Sequence, residues 1–238
     1  MICTAYFRVW QTAAALEIYF ISGMEIMMSQ LKCDFKVVGP VQTNCYFLSN
    51  TDTRECVIVD PGEEAGKIAD FIEKKELKPV AILLTHGHFD HIGAVDEIRN
   101  RYGIKVYAAA AEKETLENPD INLSSQFGGG YTVKADEFLN DGQEIELLGE
   151  KVRCLLTPGH TKGGMCYYFT GSGILFSGDT LFQQSVGRTD FPGGSMGEIV
   201  RSIREKLFVL PDYVRVYTGH GMMTNIKDEK MLNPFAVE

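Results

Sequence analysis

All five histidines of this chain stand directly behind apolar, strand-like runs, and that placement constrains the fold more than any other feature. Three fall in Thr85-His86-Gly87-His88-Phe89-Asp90-His91, which follows the apolar run Val80–Thr85. Such an unbroken run reads as a strand buried on both faces. On a helix His86 and His88 would point apart; a loop leaving a strand can turn His86, His88, Asp90 and His91 toward one point. His160 ends Leu155-Leu156-Thr157-Pro158-Gly159-His160, and His220 ends Val216-Tyr217-Thr218-Gly219-His220. Asp179 closes Leu175-Phe176-Ser177-Gly178-Asp179 in the same way. A single histidine past a strand, or a single turn aspartate, carries little weight. The recurrence carries it: the same order of apolar strand, small turn residues and histidine occurs at each place, and imidazole and carboxylate are the ligands that zinc and related divalent metals take.

The rest of the chain supplies the scaffold. Asp34–Val38, Cys45–Ser49 and Cys56–Asp60 read as early strands, rich in Val, Ile, Phe and Tyr and punctuated by Gly39-Pro40 and Asn50–Thr53. Glu63–Lys75 reads as a helix, with Ile68, Phe71 and Ile72 at helical spacing. A second helix is expected from Ile92 through Asp96–Arg101, then a strand at Ile104–Ala108 and a helix at Ala109–Glu117. The second half repeats the theme: strands at Glu144–Leu148, Val152–Thr157, Met165–Phe169 and Gly173–Ser177, a helix at Met196–Leu207 and a last strand at Val214–Thr218. Strands in two batches, each followed by helices, predict an α/β fold of two sheets face to face with helices outside. Gly128-Gly129-Gly130 reads as a loop; without a following Lys-Ser/Thr it is no phosphate loop.

No composition shift marks a linker after residue 29, so residues 29–238 are expected to form one domain. Residues 1–28 read differently. They are apolar, but Arg8, Glu17 and Glu25 interrupt them. A transmembrane helix needs about 18 or more apolar residues, and a signal peptide needs an unbroken apolar stretch. Met24, Met27 and Met28 are alternative starts, and this segment is expected to lie outside the fold. With 45% hydrophobic and 23% charged residues the composition is that of an ordinary globular protein. The net charge of −9 disfavours nucleic acid and anionic membrane surfaces as partners. The six cysteines include no C-x-x-C pair and read as buried thiols of a reducing, cytoplasmic compartment.

His86-Gly87-His88-Phe89-Asp90-His91, followed by His160, Asp179 and His220, resembles the metallo-β-lactamase superfamily motif in order and spacing, from about Phe35 to Glu238. The resemblance implies a four-layer αβ/βα sandwich with two mixed β-sheets and helices on the outer faces. It implies two divalent ions, zinc by preference with iron or manganese as alternatives. His86, His88 and His160 would hold one ion, Asp90, His91 and His220 the other, and Asp179 would bridge them. Asp60, in Ile58-Val59-Asp60-Pro61-Gly62, resembles an early aspartate that supports the ligand loop from behind; an ordinary turn residue before Pro61 is the equal alternative. The stretches Thr157–Tyr167 and Gly178–Phe182 look most like the glyoxalase II branch, the hydroxyacylglutathione hydrolases. Gly187–Gly194 and Asn233-Pro234-Phe235 look like its short, one-domain bacterial relatives. Arg188 stands where longer relatives carry a lysine that meets the glutathione carboxylate, and Lys162 is a second candidate contact for an anionic substrate. Met222 stands where those relatives have a tyrosine, which leaves the carrier thiol open.

The chemistry implied is hydrolysis of a small thioester or ester by a bridging metal-bound hydroxide, since a metal lowers the pKa of its water to about 7. Asp90 and Asp179 are the carboxylates expected at the reacting centre. If all five histidines bind metal, none remains as a general acid. A thiolate, with a parent pKa of about 8.5, leaves without one, whereas an amine does not. The alternatives are a lactonase or esterase of the same superfamily, a mono-iron persulfide dioxygenase using His86, His160 and Asp179, and a metal-holding protein without turnover. β-Lactam hydrolysis is disfavoured, because that branch carries a cysteine where Asp179 stands.

Overall fold

A computed structural model describes residues 30–127 and 129–236. The expectation for residues 1–28 lies outside them, as does Gly128. The first half forms β1 (Leu31–Val38), β2 (Thr43–Asn50), β3 (Glu55–Val59), β4 (Lys78–Leu83), β5 (Lys105–Ala109) and β6 (Glu137–Leu139), in the sheet order β1-β2-β3-β4-β5-β6. β1 to β3 run antiparallel, and β3 to β6 run parallel. The second half adds β7 (Glu144–Leu147), β8 (Glu150–Leu156), β9 (Met165–Phe169), β10 (Ile174–Gly178), a short hairpin of β11 (Leu181–Phe182) and β12 (Ser185–Val186), then β13 (Arg215–Thr218) and β14 (Thr224–Asn225). All but the hairpin join one sheet, ordered β14-β13-β10-β9-β8-β7, with β10 and β13 parallel and the other pairs antiparallel.

Because strand side chains alternate between faces, each central strand feeds two cores. Tyr46 and Leu48, Val57 and Val59, and Ala81 and Leu83 point between the sheets and meet Cys154, Tyr167, Phe169 and Phe176 from the other side. The intervening Phe47, Ile58 and Ile82 face outward against Ile68 and Ile72 of α1 (Ala65–Lys74) and Ile98 of the helix after β4. On the far side Leu155, Cys166, Leu175 and Val216 receive Ile199, Ile203 and Leu207. Three apolar cores therefore separate four layers, as the resemblance implied. Each large side chain so buried contributes about 1.5–3 kcal/mol.

The boundaries differ from the periodicity in instructive places. The helix expected from Ile92 is two: α2 (Phe89–Ile92) and α3 (Val95–Tyr102), broken at Gly93-Ala94. The break lets Gly93 pass against the Gly62 carbonyl, where a Cβ would not fit. The stretch expected as a helix at Ala109–Glu117 is a 3₁₀ turn at Ala110–Glu112 followed by α4 (Lys113–Glu117). After α5 (Ser124–Phe127), α6 (Met196–Ser202) widens into a π turn at Ile203–Leu207. The sequence reading missed α5, β6, the hairpin, β14 and α7 (Ile226–Leu232). These elements are short or polar and carry little periodicity. No helix among the described residues is long and apolar enough to cross a membrane.

The two sheets are stitched together at the rim that carries the histidines. The Asn44 amide donates to the Gly219 carbonyl at 2.8 Å, and Tyr46 Oη donates to Thr218 at 2.7 Å. The Met165 amide donates to Thr85 at 2.8 Å, and Tyr167 Oη to Leu84 at 2.8 Å. Each bond joins a strand of one sheet to the last residue of a strand in the other sheet or to the residues just beyond it.

Candidate metal centre

His86, His88, His160, Asp179 and His220 sit on loops beyond strand ends, whereas Asp90 and His91, expected on the same loop, lie in the short helix α2; the local chemistry explains how each is aimed. After β4, Thr85 is held by Asp60: its amide donates to Oδ1 at 2.8 Å and its hydroxyl to Oδ2 at 2.6 Å. His91 Nδ1 donates to the same Oδ2 at 2.9 Å, which leaves Nε2 as the free lone pair. Asp60 is buried and adopts a left-handed φ of 50°, a conformation an aspartate holds only when its surroundings fix it. With these three donors its acceptor capacity is largely used, so its proximity to His86 and His91 is that of a support. His160, beyond β8, donates from Nδ1 to the Arg188 carbonyl at 2.7 Å, again freeing Nε2. Its loop rests on α6: the Ser195 amide donates to Gly159 and the Ser202 hydroxyl to Pro158, both at 2.8 Å. From β2, the Thr43 hydroxyl donates to Asp90 Oδ2 at 2.8 Å. Asp179 and His220 follow β10 and β13, and Gly219 passes so close that a Cβ there would overlap Asp179 Oδ1.

The donor atoms converge as two triads. His86, His88 and His160 form one; Asp90, His91 and His220 form the other. In the second, His91 Nε2 lies 3.3 Å from His220 Nε2 and 3.4 Å from Asp90 Oδ2, and His220 Nε2 lies 3.2 Å from Asp90 Oδ2. Donors about 2.0–2.2 Å from one tetrahedral ion stand roughly 3.3–3.6 Å apart, so this spacing suits a shared cation. In the first triad, His88 Nδ1 approaches His160 Nε2 at 2.9 Å, and His86 Nε2 is buried with no hydrogen-bond partner. Asp179 stands between the triads. Its Oδ2 is 3.6 Å from His160 Nε2 and 3.5 Å from His220 Nε2, and its buried Oδ1 lacks a hydrogen-bond partner. A buried lone pair left unmatched costs free energy; several aimed at common points fit divalent cations.

The protonation pattern says the same. Burial pushes His86 well below its ordinary value, and the neighbouring His91, His160 and His88 add to this. His88 is lowered to about 3, by burial first and His160 next. Burial acts in the same sense on His220, but hydrogen bonds to Asp179 and Asp90 outweigh it and raise the group to about 9. Burial would raise Asp179, yet His91, His220 and His160 bring it to about 2. Asp90 is likewise held well below the carboxylate range by His91 and His220 against the effect of burial. Without metal, the second triad and Asp179 are held together by protons on imidazole. A divalent cation there would replace those protons.

The centre opens into a cavity of about 320 Å³ lined by Val41, Phe89, Leu123, Phe127, Phe182 and Phe191, with Arg188 at its wall. Phe127 stacks on Phe89 at 5.0 Å between centroids. Arg188 lies over the Phe191 ring at 4.2 Å, and its fork is held by Asp190 at 2.9 and 2.7 Å. Lys162 does not reach this cavity. It is among the residues lining a separate, smaller pocket with Pro192 and Gly193, and its Nζ lies 3.7 Å from Glu114. One residue at the centre escaped the sequence reading: Glu112, 1% exposed, accepts from the Gly87 amide at 2.9 Å and the Thr161 hydroxyl at 3.0 Å. Its only sequence signal is an acid directly after the uncharged run Val106–Ala111.

Residues 38–220 match the model of the metallo-beta-lactamase superfamily. The Bacillus subtilis protein "Probable metallo-hydrolase YqgX" is 44% identical over 200 residues, covering 83% of this chain and 94% of the relative. "Hydroxyacylglutathione hydrolase GloC" of Haemophilus influenzae is 35% identical over 204 residues, with the same coverage of 83% and 94%. Among solved structures, the BLEG-1 B3 metallo-beta-lactamase superposes with a TM-score of 0.83 at 42% identity, covering 87% of this chain and 100% of that one. TTHA1623, solved in a di-iron-bound form, gives a TM-score of 0.74 at 33% identity, covering 85% and 99%. On its fold, its clustered histidines and aspartates, and these similarities, the chain belongs to the metallo-beta-lactamase superfamily, in its glyoxalase II-like part.

Proposed function

We propose that the domain spanning residues 29–238 is a thioester hydrolase working with two divalent ions. Zinc is the preferred metal, and iron is the alternative supported by the di-iron form of TTHA1623. His86, His88 and His160 would hold one ion, Asp90, His91 and His220 the other, with Asp179 between them. Such ions supply Lewis acidity, lowering the pKa of a water to about 7 and drawing charge from a carbonyl in the transition state. The protein's own part is to fix seven donor side chains on strand ends, to keep the acyl group in an apolar cavity, and to exclude competing solvent with Phe89, Phe127, Phe182 and Phe191.

The observation that carries the thioester reading is the lining of that cavity. Apart from the proposed ligands and Arg188, it contains only apolar side chains. An amine leaving group needs a proton delivered as the bond breaks; a thiolate does not. The similarity to GloC points the same way. Arg188, already gripping the Asp190 carboxylate bidentately, is proposed to exchange it for a carboxylate on the substrate's thiol portion. The partner is therefore a small molecule, and the five free cysteines at positions 33, 45, 56, 154 and 166 suit a reducing cytoplasm.

A panel of substrates graded by leaving group tests this. Thioesters such as S-lactoylglutathione should turn over fastest, aryl esters and lactones more slowly, and a cephalosporin least, with kcat falling as the leaving-group pKa rises. Preferential cephalosporin hydrolysis, the reading that the likeness to BLEG-1 favours, would overturn the proposal. So would oxygen uptake with glutathione persulfide and a single iron per chain.

A further inference from the structure

We propose that Glu112 is a positioning residue that clamps the His86–His88 loop to the His160 loop and so sets the affinity of one of the two metal positions independently of the other. The inference rests on the metal-centre reading above. Glu112 ends the 3₁₀ turn Ala110–Glu112 after β5, and it is a carboxylate buried to 1% exposure. Its oxygens accept from donors on both ligand loops. Oε1 takes the Gly87 amide at 2.9 Å, on the peptide between His86 and His88. Oε2 takes the hydroxyl of Thr161, the neighbour of His160, at 3.0 Å. The Gly163 amide and Thr115 add further hydrogen bonds.

The packing leaves no slack around these bonds. A Cβ at Gly163 would overlap the Glu112 amide nitrogen, and one at Gly87 would press on Leu116, four residues beyond Glu112. Both loops thus lie directly on the segment that carries the acid. An ionised carboxylate accepts and never donates, so it can hold the two loops only with their N–H and O–H groups turned inward. Turning the Gly87 amide inward fixes the peptide plane between His86 and His88. Anchoring Thr161 fixes the residue after His160. All three donors of one triad are therefore tied to a single side chain. The other triad has supports that Glu112 does not contact: Asp60 holds His91 at 2.9 Å, and also reaches His86 through Thr85, and Thr43 holds Asp90 at 2.8 Å. Burying a carboxylate is costly unless it is fully hydrogen-bonded, and every partner found here lies on its own turn and helix or on a ligand loop.

Glutamine at this position keeps the shape but presents an NH₂ group to at least one donor. Removing such a support from behind a ligand typically lowers metal affinity about 10–100-fold. The test is chelator competition with zinc on the wild type, Glu112→Gln and Thr161→Val, together with melting temperatures of metal-free and zinc-loaded protein. The expected result is two zinc ions per chain in the wild type. In Glu112→Gln one ion is weakened at least tenfold, the other is unchanged, and the zinc-induced rise in Tm shrinks. Thr161→Val, which leaves the Gly87 bond intact, shifts the same ion by less. A residue that merely stabilised the fold would lower both melting temperatures equally and leave both affinities alone; that result overturns the clamp. If Glu112→Gln does not fold, Thr161→Val decides, and unchanged zinc affinity refutes the proposal. Wild-type protein that takes up no zinc would refute the metal centre itself, and the clamp with it. Two ions in the wild type with unchanged affinity in both variants would refute the clamp alone.

Discussion

Asp60 and Asp179 show how differently two aspartates at strand ends can be employed. Asp60 is saturated by Thr85 and His91, whereas Asp179 keeps a buried oxygen without a hydrogen-bond partner among the described residues. Asp60→Asn should therefore leave metal stoichiometry open to titration but weaken the ion at Asp90, His91 and His220 by about 10–100-fold, which zinc competition against a chelator would detect. Affinity equal to wild type would show that His91 is aimed by something else. The seven proposed ligands were legible in the sequence because histidine is scarce in this chain and each one follows a strand. Asp60 was legible only as an even choice, since a turn aspartate and a support look alike until their partners are known. Arg188 and Lys162 were legible only as candidate contacts, and Glu112 was not legible, because its role depends on which loops meet across the fold. Lys162 follows His160 closely in sequence, and its Nζ lies 3.7 Å from Glu114.

At the scale of elements, alternation along the central strands made the layering readable, since each residue's neighbour faces the opposite core. What periodicity could not show was where two backbones touch. Gly62 lies so close to the Asp90 carbonyl that a Cβ there would overlap it, and Gly159 is equally tight against Ile199 of α6. Gly62→Ala should force the ligand loop outward. The expected outcome is a lower Tm and loss of metal at the second triad, checked by melting curves and elemental analysis on the same sample. Ile199 is fully buried against the second sheet and under the His160 loop. Ile199→Ala should cost about 2–5 kcal/mol, measured by urea unfolding with an unchanged m-value; a cost below about 1 kcal/mol would mean that α6 does not brace that loop.

At the scale of the molecule, the protonation of the metal-free centre couples to folding. His220 is raised to about 9 in the folded chain, above an unfolded value of about 6.5. Its contribution is fully present below about pH 6.5 and is lost as pH rises toward 9, because the folded state then holds the extra proton. His88, lowered to about 3, acts in the opposite sense: the unfolded state binds its proton first, so stability falls as pH drops below about 6.5. Metal-stripped protein should therefore melt highest near neutrality and lose stability on the alkaline side, by about 1.4 kcal/mol per pH unit for each proton held only in the folded state, with His91, also raised, acting in the same direction as His220. Zinc-loaded protein should not show that alkaline loss, because the cation takes the proton's place. Melting temperatures from pH 5 to 9 with and without chelator check this; an alkaline loss equal in both forms would contradict it. Elemental analysis of the wild type and Asp179→Asn, paired with S-lactoylglutathione turnover, tests most directly whether two ions would be held with Asp179 between them. The prediction is two divalent ions per chain in the wild type, and in the variant a loss of metal with at least a hundredfold lower kcat. One ion per wild-type chain, or equal metal content and activity in both proteins, would contradict it.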